Sequence, residues 1–191
     1  ATMHSAFKSD VGASFDSVSV IPYPPDQPLG YAELEALVRA SLPAVPFVLL
    51  GESFSGPIAL SIAANPPSNL VGLVLSTSFA SSPNPLFSTL SPLTRIAPVR
   101  ALPLPFLSWL LLGRWATPQL GTALQSALLQ VAPSVLRFRA AAALRANVLA
   151  KCNAISVPVL NLRATNDRLL SRRASQQLVA VIPCCESVAI A

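Results

Sequence analysis

The chain has 191 residues, of which 52% are hydrophobic and 11% are charged, and its formal net charge is +5. This apolar content is enough for the core of one ordinary domain with an insertion, and it excludes a disordered or fibrous protein. The charge comes from 13 basic residues against only 8 acidic ones. Because acids are scarce rather than bases abundant, the charge alone does not indicate a nucleic-acid partner.

The closest-spaced basic residues support the same conclusion. Arg137-Phe138-Arg139 and Arg172-Arg173 are short groups, and neither extends into a basic run with interleaved aromatic residues. A groove that follows a phosphate backbone needs such a run. We therefore predict that these arginines lie solvated at the surface and that the protein binds no nucleic acid.

Three cysteines and one histidine limit the metal and redox chemistry. Cys152 and the adjacent pair Cys184-Cys185 have no metal-ligand spacing, and adjacent cysteines rarely pair with each other. We predict reduced thiols, no metal, no cofactor and a cytoplasmic location. The N-terminus has no signal-peptide pattern, and the apolar stretch 101–113 is too short and too proline-broken to cross a bilayer. We therefore expect no stable membrane insertion.

Strand and helix patterns alternate along the chain. This order is typical of an α/β fold with a mostly parallel sheet and flanking helices. The predicted strands are 18–23, 46–50, 69–75, 157–163 and 186–191, and the predicted helices are 31–42, 57–64 and 171–181.

Residues 83–150 separate two of the central strands and contain no acidic residue. A segment of this length is too long for a crossover helix, so we predict a helical cap over the carboxyl ends of the strands, with an alanine-rich helix near 140–149. Residues 1–82 and 151–191 then form the core. A cap with so few charges would favour an apolar acyl or alkyl group. Additional core helices are the alternative interpretation.

The segment Gly51-Glu52-Ser53-Phe54-Ser55-Gly56 lies between an apolar strand and a helix. A turn this tight admits only small residues two positions either side of a nucleophilic serine, and Gly51 and Ser55 occupy those positions. Glycine is usual where Ser55 stands. The alternatives are a helix N-cap at Ser53 or Ser55 and a phosphate loop, and the latter is weakened because Pro57 replaces the expected lysine.

A carboxylate follows the strand at 157–163. Asp167 is the only acidic residue between Glu52 and Glu186. A serine nucleophile needs a histidine base, and that histidine needs a carboxylate that orients it. Asp167 is therefore the candidate acid, and a helix N-terminal aspartate is the alternative.

The motifs GESFSGPIALSIAA, SFA and VPVLNLRATNDRLL resemble the α/β-hydrolase superfamily, in particular its capped bacterial esterase- and lipase-like members. The resemblance covers residues 18–191. It implies that Ser53 is the nucleophile, Asp167 the triad acid and the backbone N–H of Phe54 an oxyanion donor. The order of serine before aspartate is the order of this family.

Two segments of the family pattern have no counterpart here. The triad histidine should follow the strand at 186–191, but the only histidine is His4. The N-terminal strands and the His-Gly loop that supplies the second oxyanion N–H are also missing. The chain is then either an internal fragment, or a complete unit in which His4 serves as the base or catalysis is absent. Loss of the strand expected between 18–23 and 47–50 would expose an apolar sheet edge, which predicts homo-oligomers.

These observations predict a serine hydrolase of the carboxylesterase or lipase type. It would act on small-molecule esters with apolar acyl groups through an acyl-enzyme. The alternative is a non-catalytic binding domain with the same fold.

Overall fold

Four parallel strands form the sheet of this protein, in a computed structural model that describes residues 5–82, 103–170 and 172–190. The strands are β1 (Phe47–Glu52), β2 (Leu70–Ser76), β3 (Val159–Ala164) and β4 (Cys185–Ile190), and they lie side by side in that order. Each neighbouring pair is parallel. The carboxyl ends of all the strands therefore meet at one edge, where open α/β sheets bind ligands. The predicted α/β fold with a parallel sheet is confirmed.

Helices precede, separate and follow these strands. They are α1 (Ser5–Val11), α2 (Tyr31–Ala40), α3 (Gly56–Ala64), α4 (Leu104–Leu111), α5 (Pro118–Gln130), α6 (Pro133–Leu144) and α7 (Arg172–Val181). Short 3-10 turns occupy Ser53–Ser55, Gly113–Trp115 and Leu149–Ala154. Helices α3 to α6 each carry proline in the first turn. Proline is tolerated there because a backbone N–H in the first turn has no hydrogen-bond acceptor within the helix.

Helix α3 lies in the centre of the core. Every residue from Gly56 to Ala63 is buried, as expected for a helix that is apolar on all sides. One side packs with Leu73, Leu75 and other residues of the sheet, and another packs with α2 through Leu34 and Val38. The turn that leads into α3 is thereby held between the sheet and α2.

The predicted strand at 18–23 is wrong. This segment is irregular backbone, and none of the strands in the described part of the chain pairs with it. A strand is stabilised by a neighbour, and Pro22 and Pro24 also remove N–H groups from the ladder. Ile21 and Tyr23 nevertheless pack against the cluster formed by α2 and α3.

The described sheet has two edge strands, β1 and β4, and β1 is the edge at which the sequence predicted a missing neighbour. Its residues Val48 and Leu50 are 39% and 40% exposed, although parallel strands are usually covered on both faces. The exposed apolar residues expected at this edge are present. Association of two chains through it stays a prediction.

The long segment between β2 and β3 leaves and rejoins the core at neighbouring points. Ser81 and Asn147 form an isolated antiparallel bridge, and the Val148 N–H donates to the Ala80 carbonyl at 2.7 Å. These contacts end the helix at Leu144, short of the predicted 149. The predicted cap falls partly on residues 83–102, which lie outside the described residues, so its bounds stay a prediction.

The described helices are short relative to the thickness of a bilayer. Within the described ranges, no single helix is long and apolar enough to cross one. Helices α5 and α6 pass that test only as a pair, and the pair is bent by 103°.

Candidate active site

Ser53 lies in the tight turn between β1 and α3 and is exposed to solvent. Its φ angle is +47°, in the left-handed region that residues other than glycine rarely adopt. Such strain persists only where the surrounding structure enforces it, and it is concentrated at functional sites. This strained turn is compatible with the predicted nucleophile elbow, and the role of Ser53 as the nucleophile stays a prediction.

Two glycines allow the turn to close. A Cβ atom added at Gly51 would lie 2.7 Å from the Cβ of Ala59. One added at Gly56 would lie 1.4 Å from the Ser78 Oγ. The Ser78 hydroxyl is placed this closely because it donates a hydrogen bond to the Ser53 carbonyl at 3.1 Å. Ser78, which belongs to the SFA motif but was given no role from the sequence, therefore fixes the backbone of the candidate nucleophile.

The side chains of the elbow do not act as helix caps. Ser55 stands at the N-cap of α3, but neither it nor the residue before the 3-10 turn makes a side-chain capping bond. The Ser55 side chain interacts with Tyr23 and lowers the pKa of the Tyr23 hydroxyl. Ser55 has φ of −76°, so glycine is not required at this position. The N-cap interpretation of the motif is therefore not supported.

Phe54 contributes both its backbone and its ring. Its N–H belongs to the first turn of a helical segment, where N–H groups have no partner within the turn and point toward an anion. Its ring stacks on Tyr31 at a centroid distance of 4.9 Å and meets Tyr23 edge-on at 6.3 Å. The ring contacts anchor the elbow, and the oxyanion role of the N–H stays a prediction.

Asp167 lies three residues beyond the end of β3, at the same sheet edge as Ser53, with β2 between their strands. Its Oδ1 accepts hydrogen bonds from the N–H groups of Leu169 and Leu170, both at 2.8 Å. The carboxylate therefore stabilises its own loop, as the N-terminal aspartate interpretation proposed. No hydrogen bond joins it to Ser53 within the described ranges, and a triad requires none because the imidazole stands between them.

A polar cluster lies beside the elbow, formed by Tyr23, Tyr31 and Arg139. The Arg139 guanidinium lies 5.6 Å from the Tyr23 ring centroid, and its Nη2 donates to the Pro24 carbonyl at 2.8 Å. The Tyr31 hydroxyl and the Arg139 Nε are buried without a hydrogen-bond partner in the described structure. The prediction of a solvated Arg139 is therefore wrong, because α6 brings it onto the segment that precedes α2.

Burial controls the protonation of this cluster. Desolvation raises the pKa of both tyrosine hydroxyls and lowers the pKa of the Arg139 guanidinium. Ser55 and Arg139 partly oppose the rise in the pKa of Tyr23. Both tyrosine hydroxyls therefore stay protonated to a higher pH than an exposed tyrosine does.

The histidine and metal predictions concern other parts of the chain. His4 lies outside the described residues. Among those that are described, no group of three or more His, Cys, Asp or Glu side chains could hold a metal ion. All three cysteines are free, with Cys152 buried and Cys184 exposed.

Comparison with known proteins identifies the family. Residues 31–189 match the model of a hydrolase family described as serine aminopeptidase, S33. The chain belongs to this family. It is thus a member of the α/β-hydrolase superfamily, as the motifs predicted. No curated protein sequence matches it.

Several solved hydrolase structures share its fold. A hydrolase from Pseudomonas aeruginosa PA01 has a TM-score of 0.76 and 19% identity over 99% of this chain and 77% of that one. An enol-lactonase from Burkholderia xenovorans LB400 has a TM-score of 0.68 and 17% identity over 87% of this chain and 66% of that one. A hydrolase from Oleispira antarctica has a TM-score of 0.67 and 18% identity, covering 84% of this α/β-hydrolase chain. The chain spans only 62% of the length of that protein.

Proposed function

We propose that Ser53 is the nucleophile of a serine hydrolase that cleaves carboxylic esters with apolar acyl groups. The observation that carries this proposal is the exposed Ser53 at φ +47° between a parallel strand and a buried helix. A helix N-cap needs no such strain, whereas a nucleophile elbow does.

The chemistry would be a two-step acyl transfer. The Ser53 Oγ bonds to the ester carbonyl carbon while its proton passes to a base, and the alcohol leaves with that proton. The Phe54 N–H and the N-terminal end of α3 stabilise the negative oxygen that forms. Water then attacks the acyl-enzyme and releases the acid and Ser53. The second oxyanion donor and the base come from outside the described residues, with His4 as the base that this chain itself offers.

The supporting residues have distinct roles in this scheme. Ser78 holds the Ser53 carbonyl and so maintains the direction of the elbow. Asp167 would orient the imidazole through the carboxylate oxygen that does not bind Leu169 and Leu170. The apolar helix α4 supplies partly exposed Phe106 and Trp109 for an acyl chain.

The family description raises a second substrate class. A serine aminopeptidase cleaves the peptide bond after an N-terminal residue, whose amino group is charged. The cap contains few charged residues and instead favours an uncharged acyl group. In the described ranges, the cap helices Leu104–Leu111, Pro118–Gln130 and Pro133–Leu144 contain no carboxylate that would bind an ammonium group. We therefore place esters ahead of aminoacyl amides.

The test is hydrolysis of 4-nitrophenyl acetate, butyrate and octanoate beside leucine and proline 4-nitroanilides. We expect ester turnover that rises with acyl length and is abolished in Ser53→Ala, with no turnover of the anilides. Turnover of the anilides alone would replace the ester proposal with an aminopeptidase. Ester turnover that survives in Ser53→Ala would show that Ser53 is not the nucleophile. No turnover of any substrate by the folded wild-type chain would favour the non-catalytic binding domain.

A further inference from the structure

A second candidate site lies at the opposite side of the sheet from the elbow strand. Helix α7 and strands β3 and β4 border a cavity of about 430 Å³ that is open to solvent. It is lined by Arg163, Arg172, Ser175, Gln176, Val179 and Ser187. This volume lies within the usual range for small-molecule pockets, roughly 300–1,000 Å³.

The charged side chains that line this cavity are all positive. Two of its six lining side chains are arginines, and none is a carboxylate. Arg163 stands near the end of β3 and Arg172 begins α7, so the two arginines belong to different elements. Within the described ranges, neither has an ion-pair partner. Positive charge without a counter-charge in a concave site attracts an anion.

A buried asparagine donates hydrogen bonds to two serine hydroxyls of the cavity. Asn161 on β3 is only 1% exposed, and its Nδ2 donates to the Ser175 Oγ at 2.8 Å and to the Ser187 Oγ at 3.3 Å. A hydroxyl that accepts one hydrogen bond keeps its own proton for another acceptor. Each serine hydroxyl therefore keeps its own proton to donate to a further oxygen atom.

Two different faces of helix α7 contact the core and the cavity. Arg172, Ser175, Gln176 and Val179 follow the spacing of one helical face and line the cavity. Ala174 and Leu178 lie on another face and are buried in the core. The core packing of α7 therefore holds the polar face in place without using its polar groups.

We propose that this cavity binds the phosphate group of a small organic phosphate. A phosphate dianion matches two guanidiniums in charge, and its three terminal oxygens can accept from the arginines and both hydroxyls together. A planar carboxylate carries one charge and two oxygens, which leaves some of these donors unused. The remaining volume, beside the Val179 side chain, accommodates the organic part. This site is independent of Ser53 and of ester hydrolysis.

The test is isothermal titration of the whole chain with phenyl phosphate, inorganic phosphate and benzoate at low ionic strength. We expect saturable binding of one phenyl phosphate, weaker binding of inorganic phosphate and weakest binding of benzoate. Arg163→Gln and Arg172→Gln should each raise Kd about tenfold, the usual cost of losing one charged hydrogen bond. Arg173→Gln is the matched control, since Arg173 lies next to Arg172 and carries the same charge but does not line the cavity.

Three results would overturn the proposal. The first is the absence of saturable phenyl phosphate binding in a wild-type chain whose circular dichroism and cooperative melting show that it is folded. The second is equal weakening by Arg173→Gln and Arg172→Gln, which would mean that net charge and not the cavity attracts the anion. Preference for benzoate over phenyl phosphate would likewise reject a phosphate ligand.

Discussion

Replacing Gly56 with alanine should test whether the elbow is closed by its contact with Ser78. The new Cβ would lie 1.4 Å from the Ser78 Oγ and 2.7 Å from the Ser78 Cβ. Rotating the hydroxyl away would relieve only the first of these overlaps and would break its hydrogen bond to the Ser53 carbonyl. The protein must therefore shift the backbone after β2 or the start of α3.

The magnitude follows from three contributions. Overpacking in a core costs about 1–3 kcal/mol, and the lost hydrogen bond costs about 1 kcal/mol. Alanine is better than glycine in a helix by about 1 kcal/mol, and Gly56 has helical angles, φ −57° and ψ −49°. Because the Cβ overlap cannot be relieved by rotation, we expect Gly56→Ala to lower the free energy of unfolding by about 3 kcal/mol.

A double-mutant cycle separates this overlap from a general effect of alanine. In a Ser78→Gly background, the nearest remaining atom is the Phe79 nitrogen at 3.6 Å, an ordinary contact. There Gly56→Ala should stabilise the protein by up to about 1 kcal/mol, so the sign of its effect reverses. Gly72→Ala is the control in the wild-type chain, since its Cβ would meet nothing closer than 3.7 Å.

The assay is urea denaturation followed by circular dichroism for the four variants of the cycle and the control. The reasoning is refuted if Gly56→Ala costs no more than Gly72→Ala. It is also refuted if Gly56→Ala costs the same in the Ser78→Gly background as in the wild-type chain.

Three further changes have definite expected outcomes. Ser53→Gly should be about 1 kcal/mol more stable than Ser53→Ala in urea denaturation, because glycine adopts φ of +47° without steric cost. Burial raises the pKa of the Cys152 thiol from 9.0 to about 11. As the pH rises, the unfolded chain therefore loses this proton before the folded chain does. The free energy of unfolding should fall by up to about 2 kcal/mol between those two pKa values. The Cys152→Ala variant, measured over the same pH range, should not show this fall. Arg168→Ala should speed proteolysis of residues 103–116, because Arg168 lies 4.4 Å from the Trp109 ring centroid and donates to the Trp109 carbonyl. Arg114→Ala, which removes the guanidinium 4.9 Å from the Trp115 ring, is the control, and equal proteolysis of the two variants would contradict the expectation.

Local sequence patterns were sufficient for most of the fold. Four apolar runs became strands because each has a parallel neighbour that pairs with it. The run at 18–23 also contains several apolar residues, but it includes Pro22 and has no partner strand in the described structure, so it stays irregular. Strand formation depends on pairing partners far along the chain, which a local pattern does not contain.

Only part of the candidate site could be predicted from local sequence patterns. The elbow at Ser53 was predictable because small flanking residues are a local requirement of the turn. The contacts of Ser78 and Arg139 were not, since their hydrogen-bond partners lie 25 and 115 residues away in the sequence. Asp167 was placed correctly at the sheet edge, but its local hydrogen bonds depend on the shape of a loop that composition does not specify.

The most direct test of the central claim is labelling of Ser53 by a fluorophosphonate probe, read by intact mass. The probe reacts with serines that a working base activates. We predict one adduct on the wild-type chain and none on Ser53→Ala under the same conditions. A folded wild-type chain that takes up no adduct, or an equal adduct on both chains, would contradict the assignment of Ser53 as the nucleophile.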